Sequence, residues 1–244
     1  MKISWNTGCS GFHYKEWKNT FYEGIPAGKW FLFYSKHFNT LESNVTFYRL
    51  PALSTLLKWH DDSPKQFSFS VKAPQLITHY KKFVDIENEL SAFYELIKKG
   101  FKEKSACVLF QFPPSFSYTE ERLETIISNL NNSFNNVVEF RHESWFRIEV
   151  YEKLQQHKII FCNISHPRLK DVFIKTAPVI YFRFHGVPEL FKSSYSKEYL
   201  TNILYQINQD KKVKKAYLYF NNTMTGAAID NARFIKEIIL KLNF

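Results

Sequence analysis

Glycine is scarce in this chain, 7 of 244 residues, proline stops at 9, and neither gathers into a low-complexity tract. Flexible or extended linkers need such stretches, so the sequence reads as one domain over residues 1–244. Cysteine is scarcer still: Cys9, Cys107 and Cys162 are too few and too isolated for a disulfide framework. Each falls in or beside an apolar run, which reads as a buried reduced thiol, and Cys9 has no activating neighbour in sequence that would make it a nucleophile. No apolar run approaches the ~20 residues needed to cross a bilayer, and no segment resembles a signal peptide. The sequence therefore implies no membrane partner and a cytoplasmic address. Metal motifs are missing too, with no His-x-His, His-Glu-x-x-His or Asp-rich pattern. No cofactor is required on this reading. If a divalent metal enters, Glu42, Glu139, His142 and His185 are the residues that would converge on it.

What the chain does have is a rhythm. Eight times a short apolar, aromatic-rich run ends in polar or charged residues, at 3–10, 40–44, 67–72, 107–111, 137–141, 159–163, 179–185 and 216–221. Most mix β-branched and aromatic residues, the composition of buried parallel strands. The spacing leaves room for one crossover helix each. Seven of the eight connections read as helical, and the pattern predicts an α/β fold, a TIM-type (β/α)8 barrel. The connection after Asn163 is the exception: Pro167 and the 170–175 stretch suggest only a short, irregular turn of helix. Elsewhere Pro51 is placed to open a helix at its first position, and Ser117 to Glu120 has the form of a capping box. An amphipathic stretch from Asp85 ends at Gly100 as a C-cap, and a final helix spans about 226–242.

A formal charge of +10 and a pI near 9.3 admit nucleic acid as a partner. Many of the lysines, however, fall in outer helices and loops, as in a solvated shell. Cations at strand ends are more telling, because Lys72, Arg141 and Arg183 are expensive to bury without an anionic partner. In a barrel the strand ends build the active site. Strand parity puts Glu42 with Asn44, Glu139 with Arg141, and Arg183 with His185, while Gln111, Asn163 and Asn221 end other strands. One reading has Glu42 pairing with Lys72 and Glu139 with Arg141 merely to close the barrel. Ion pairs contribute little net stability against apolar alternatives, so several at strand ends point instead to a working site.

That inventory suits a phosphorylated or otherwise anionic small molecule. Asn44, Lys72, Gln111, Arg141, Arg183, Asn221 and Asn222 would bind it, the guanidinium groups by bidentate contacts and Lys72 as a point charge. Glu42, Glu139 and His185 are the candidate catalytic acid and base groups. Residues 221–228 lead into the last helix, where backbone N–H groups and Thr225 would cradle a phosphate or simply cap the helix. Aromatic residues after the first, second, fourth and fifth strands, among them Trp17, Phe47, Tyr48, Phe116 and Trp145, would stack on a base or sugar or pack as a lid. The reaction class stays open between a hydrolase and an isomerase or lyase. Nucleic-acid binding, with metal-assisted phosphodiester cleavage, and a non-catalytic interaction scaffold are the alternatives. Oligomeric state is not legible.

Several segments also resemble a known family. They are Gly8-Cys-Ser-Gly11 with Tyr14 and Trp17, the run from Glu42 to Arg49, Lys72-Ala-Pro74 with Ile77-Thr-His79, and Gln111-Phe-Pro-Pro-Ser-Phe116. The run continues with Val138-Glu-Phe-Arg-His142 with Ser144-Trp145, Thr176-Ala-Pro178 with Arg183-Phe-His-Gly186, and Phe220-Asn-Asn222 with Asn231-Ala232. In order and over nearly the whole chain they are similar to the YecE-like family, domain of unknown function 72. The resemblance implies a TIM-barrel fold and supplies no reaction. Two residues depart from its pattern: Glu143, where the family often has Pro, and Asn163, where an acidic residue is expected.

Overall fold

In the computed structural model, which describes residues 2–242, the apolar runs form eight strands. They are β1 Ser4–Cys9, β2 Thr40–Ser43, β3 Ser68–Lys72, β4 Ser105–Gln111, β5 Asn136–Glu139, β6 Ile160–Ser165, β7 Val179–Phe184 and β8 Lys215–Phe220. The sheet order is β1-β8-β7-β6-β5-β4-β3-β2. Helices follow seven strands: α1 Trp30–His37, α2 Val45–Tyr48 with α3 Leu53–Asp62, α4 Glu87–Phe101, α5 Glu120–Asn129, α6 Ile148–Gln156, α7 Lys197–Gln209 and α8 Ala227–Lys241. This is the α/β architecture of a TIM-type (β/α)8 barrel. Strands β2, β5 and β6 are buried along their whole length, the polar Glu42, Glu139 and Asn163 included. After β6 the described residues form no helix, and 166–178 run as turns and irregular chain. Pro167 withholds a backbone donor there.

The chain divides into two compact units, one of residues 1–42, 163–173 and 178–244, the other of 43–162 and 174–177. In the first unit β8 pairs in parallel with both β1 and β7. Tyr34 of α1 ties the top of β1, its hydroxyl accepting from Cys9 N at 2.7 Å and donating to Thr40 O at 3.1 Å. Gly8 lies so close to β2 that a Cβ there would stand 2.1 Å from Thr40 O. The aromatic residues after β1 are packed inward: Trp17 and Tyr22 are fully buried, and Tyr22 stacks on Trp30 at 4.6 Å.

In the second unit β4 lies between β3 and β5, with Gln111 opposite Glu139. Four rings, Phe112, Phe116, Trp145 and Phe140, stack in series, the last pair at 3.9 Å and 3°. The indole of Trp145 donates to Phe116 O at 2.7 Å. The rings after β4 and β5 are thus packing and not an open platform. Several helix ends differ from the sequence reading. Gly100 lies inside α4, where any Cβ would meet the Leu56 side chain of α3 at 2.6 Å. It serves close helix packing, and the chain turns instead at Lys102, with φ of +48°. Leu53, two positions after Pro51, is the first residue of α3, and Glu87 is the first of α4. Thr119 and not Ser117 caps α5, accepting from Arg122 N, while Ser117 receives the Arg122 guanidinium.

Candidate functional site

In the first unit a carboxylate and a guanidinium are buried together. Glu42, at the end of β2, has no exposure, and Arg183 of β7 is 2% exposed. Arg183 donates from Nε and Nη2 to Glu42 Oε1 at 3.1 and 2.8 Å, and Tyr181 donates to Oε2 at 2.6 Å. Tyr181 and Arg183 stand two residues apart on β7, so strand parity points both at the same carboxylate. Nearby Tyr14 is half-buried, and its partial loss of water pushes the phenol up to about 12, with a Thr223 hydrogen bond working against that rise. His185, just past β7, is fully buried, and its Nδ1 lies 2.9 Å from Asn221 Nδ2. With the amide donating, the neutral ring carries its proton on Nε2. Asn222 is also fully buried, its amide donating to Ser193 O and Asn231 Oδ1 at 2.9 and 3.0 Å. It pins the chain between β7 and α7 to the start of α8. Thr225 accepts from Ala227 N at 3.2 Å just ahead of α8, whose N-cap is Gly226. Burial raises the Cys9 thiol far above its ordinary range, which removes it as a nucleophile.

In the second unit the strand ends gather a different group. Lys72, ending β3, donates to Gln111 Oε1 at 2.9 Å and lies 3.7 Å from the centre of the Phe47 ring. Gln111 in turn donates to Phe112 O at 2.8 Å, which fixes its amide. Thr46 of α2 donates to Lys72 O at 2.6 Å, so α2, which begins after Asn44, is tied to the end of β3. Glu139 is fully buried and accepts from Arg141 Nε and, at 3.6 Å, from Cys162 Sγ. The expected Glu139–Arg141 pair is present, and the partners of Glu42 within its own unit are Arg183 and Tyr181. His142 accepts from Ser144 N as the cap of a short turn.

His79, which the sequence marks only as part of a family-like segment, belongs to this group. It sits on the π-helical turn Leu76–Tyr80, its ring 5.0 Å from Phe47 and its Nδ1 2.8 Å from Thr78 Oγ1. Burial first, then Lys72 and Arg141, push its imidazole down to about 4 against the opposing pull of Glu139. The signal for it was the Lys72-Ala-Pro74 segment followed by Ile77-Thr-His79, which returns a polar side chain to the strand end. Tyr181 was legible only as one more aromatic residue of β7. A cleft of about 510 Å³ lies elsewhere, between α4 and α5 beside the opening residues of β4. Among the described residues no three His, Cys, Asp or Glu side chains are grouped as a metal ion would need, and no helix is long and apolar enough to cross a membrane.

Eight parallel strands with helices between them give this chain the fold of the TIM-type (β/α)8 barrel proteins. The model of the family described as "Protein of unknown function DUF72" matches residues 6–242, and the chain belongs to that family. It is 27% identical over 239 residues to the UPF0759 protein YunF of Bacillus subtilis, covering 84% of this chain and 85% of that protein. With the UPF0759 protein YecE of Escherichia coli it shares 28% identity over 154 residues, 63% of this chain and 54% of YecE. Among solved structures, a DUF72 family protein from Thermotoga maritima is 29% identical with a TM-score of 0.87, over 97% of this chain and 99% of that one. A DUF72 family protein from Enterococcus faecalis, at 18% identity and a TM-score of 0.84 over 97% and 95% of the two chains, shares the fold.

Proposed function

We propose that this protein is an enzyme that binds a phosphorylated or otherwise anionic small molecule beside the carboxyl ends of β3, β4 and β5. The observation that carries this reading is the charge around His79. Two cations, Lys72 and Arg141, and one carboxylate, Glu139, surround the ring, so the formal charge of the group is positive even with that carboxylate ionised. A positive potential in a partly buried, ring-lined position is what a phosphate or carboxylate group needs. In this reading Lys72 and Arg141 hold the anion and Gln111 orients the ammonium. Glu139 has a carboxylate within reach of the guanidinium and serves as a proton carrier. Arg183 acts through Glu42 and Tyr181, holding the end of β7 rather than clamping ligand. His185, with its tautomer set by Asn221, is a further proton carrier of the first unit.

Thermal unfolding with a panel of phosphorylated and carboxylated metabolites tests the reading. At a ligand concentration of about 100 times Kd the stabilisation is about 2.7 kcal/mol, roughly a 5–10 °C rise in Tm for a chain of this size. Lys72→Met is expected to abolish the rise while leaving the unliganded Tm within a few degrees. A rise that survives Lys72→Met overturns the assignment. Stabilisation only by oligonucleotides, with a steep salt dependence, moves it to nucleic acid.

A further inference from the structure

We propose that this site takes up its anion together with a proton, and that His79 is the residue that receives it. The inference rests on the anion-binding reading above and assigns the imidazole a role that reading does not need. The geometry is the starting point. His79 and Lys72 both pack against Phe47, the ring centres of His79 and Phe47 being 5.0 Å apart and the ammonium 3.7 Å from the Phe47 centre. Thr78 is fully buried and engages His79 Nδ1 at 2.8 Å, which sets the ring's orientation. No hydrogen bond to Nε2 is formed among the described residues, and the side chain is half-buried rather than sealed.

The charges that act on the ring come from two strands: Lys72 from β3, and Glu139 with Arg141 from β5 and the residues beyond it. The neighbouring helix α2 presents the uncharged Phe47. Just past that turn the next cation, Lys81, is paired with Glu89 at 2.6 Å. Without ligand, burial and two cations keep the ring neutral, with its pKa at about 4. An anion between Lys72 and Arg141 cancels the cations' effect and adds its own attraction for a proton, and an opposite charge at this range raises a pKa by about 1–3 units. The ring then ionises at a pH where the empty site leaves it neutral. One proton passes from solvent to the imidazole, no covalent bond changes, and the resulting imidazolium–anion pair holds an acidic proton beside the ligand.

Linkage fixes the sign: if the anion raises the ring's pKa, protonation tightens the anion. Affinity therefore rises as pH falls from 7 towards 5, by up to about tenfold per unit for a single linked proton. Sulfate is the probe, because it stays a dianion throughout this range and every proton taken up belongs to the protein. Calorimetric titrations with sodium sulfate at constant ionic strength and pH 6, in two buffers of different ionisation heat, count the protons. Uptake of about half a proton per sulfate is expected, as for a ring moved from about 4 to about 6, falling close to zero in His79→Gln, whose sulfate affinity is flat with pH. The His79 ring proton followed by NMR is expected to titrate about two units higher in saturating sulfate, a measurement on the unmodified protein that does not depend on the variant folding. Absence of sulfate binding overturns the anion site itself. Binding without proton uptake, uptake unchanged in His79→Gln, or a ring pKa unmoved by sulfate overturns the role of His79 alone.

Discussion

Glu42 has no contact with water and is held by three hydrogen bonds from two side chains of one strand. A buried charge pair of this kind adds little net stability, but deleting one partner leaves the other uncompensated, at a cost of about 3–5 kcal/mol. Denaturant unfolding of Glu42→Gln and Arg183→Met should each show a loss in that range. The double variant should lose clearly less than the sum, since the pair is coupled. Additive losses would mean that the two residues act independently. The sequence makes Glu42, Glu139 and the cations legible because a charged residue at the end of an apolar run has few structural excuses. It cannot pair them: Tyr181 and Arg183 lie 139 and 141 residues from Glu42 along the chain, and only the closure of the fold brings them together. His79 was hidden for another reason, since a π-helical turn has no sequence signature.

Among the elements, type was easier to read than boundary. The eight strands and seven helical connections stand where the apolar runs and amphipathic stretches put them, because burying those faces decides the outcome. Ends are decided by single hydrogen bonds between near-equal competitors. Ser117 and Thr119 are both good caps by type, and the structure puts the Thr119 hydroxyl 3.2 Å from Arg122 N. Thr119→Ala should therefore cost about 1 kcal/mol in denaturant unfolding, and Ser117→Ala no more than half of that. A reversed order would move the start of α5. Gly100 carries a similar lesson: a glycine near the end of an amphipathic stretch reads as a cap, yet here it makes room for Leu56, and helix–helix contact is invisible in a local window.

At the scale of the whole molecule, composition, run spacing and the family match over residues 6–242 agree on one architecture. The chemistry does not follow from the fold, since barrels of this type host many reactions. The net charge of +10 is a poor guide as well, because much of it is carried by lysines of the outer shell. The three cysteines, all outside disulfides and all buried, are informative in a different way. Cys9 belongs to the first unit and Cys107 and Cys162 to the second, so each thiol is a clock wired to the opening of its own surroundings. Labelling under native conditions, read site by site by mass spectrometry, should run more than about 10³-fold slower than in the unfolded chain. A single shared rate would mark the barrel as one cooperative body, whereas a faster Cys9 would mean that the strands carrying Glu42 and Arg183 breathe on their own.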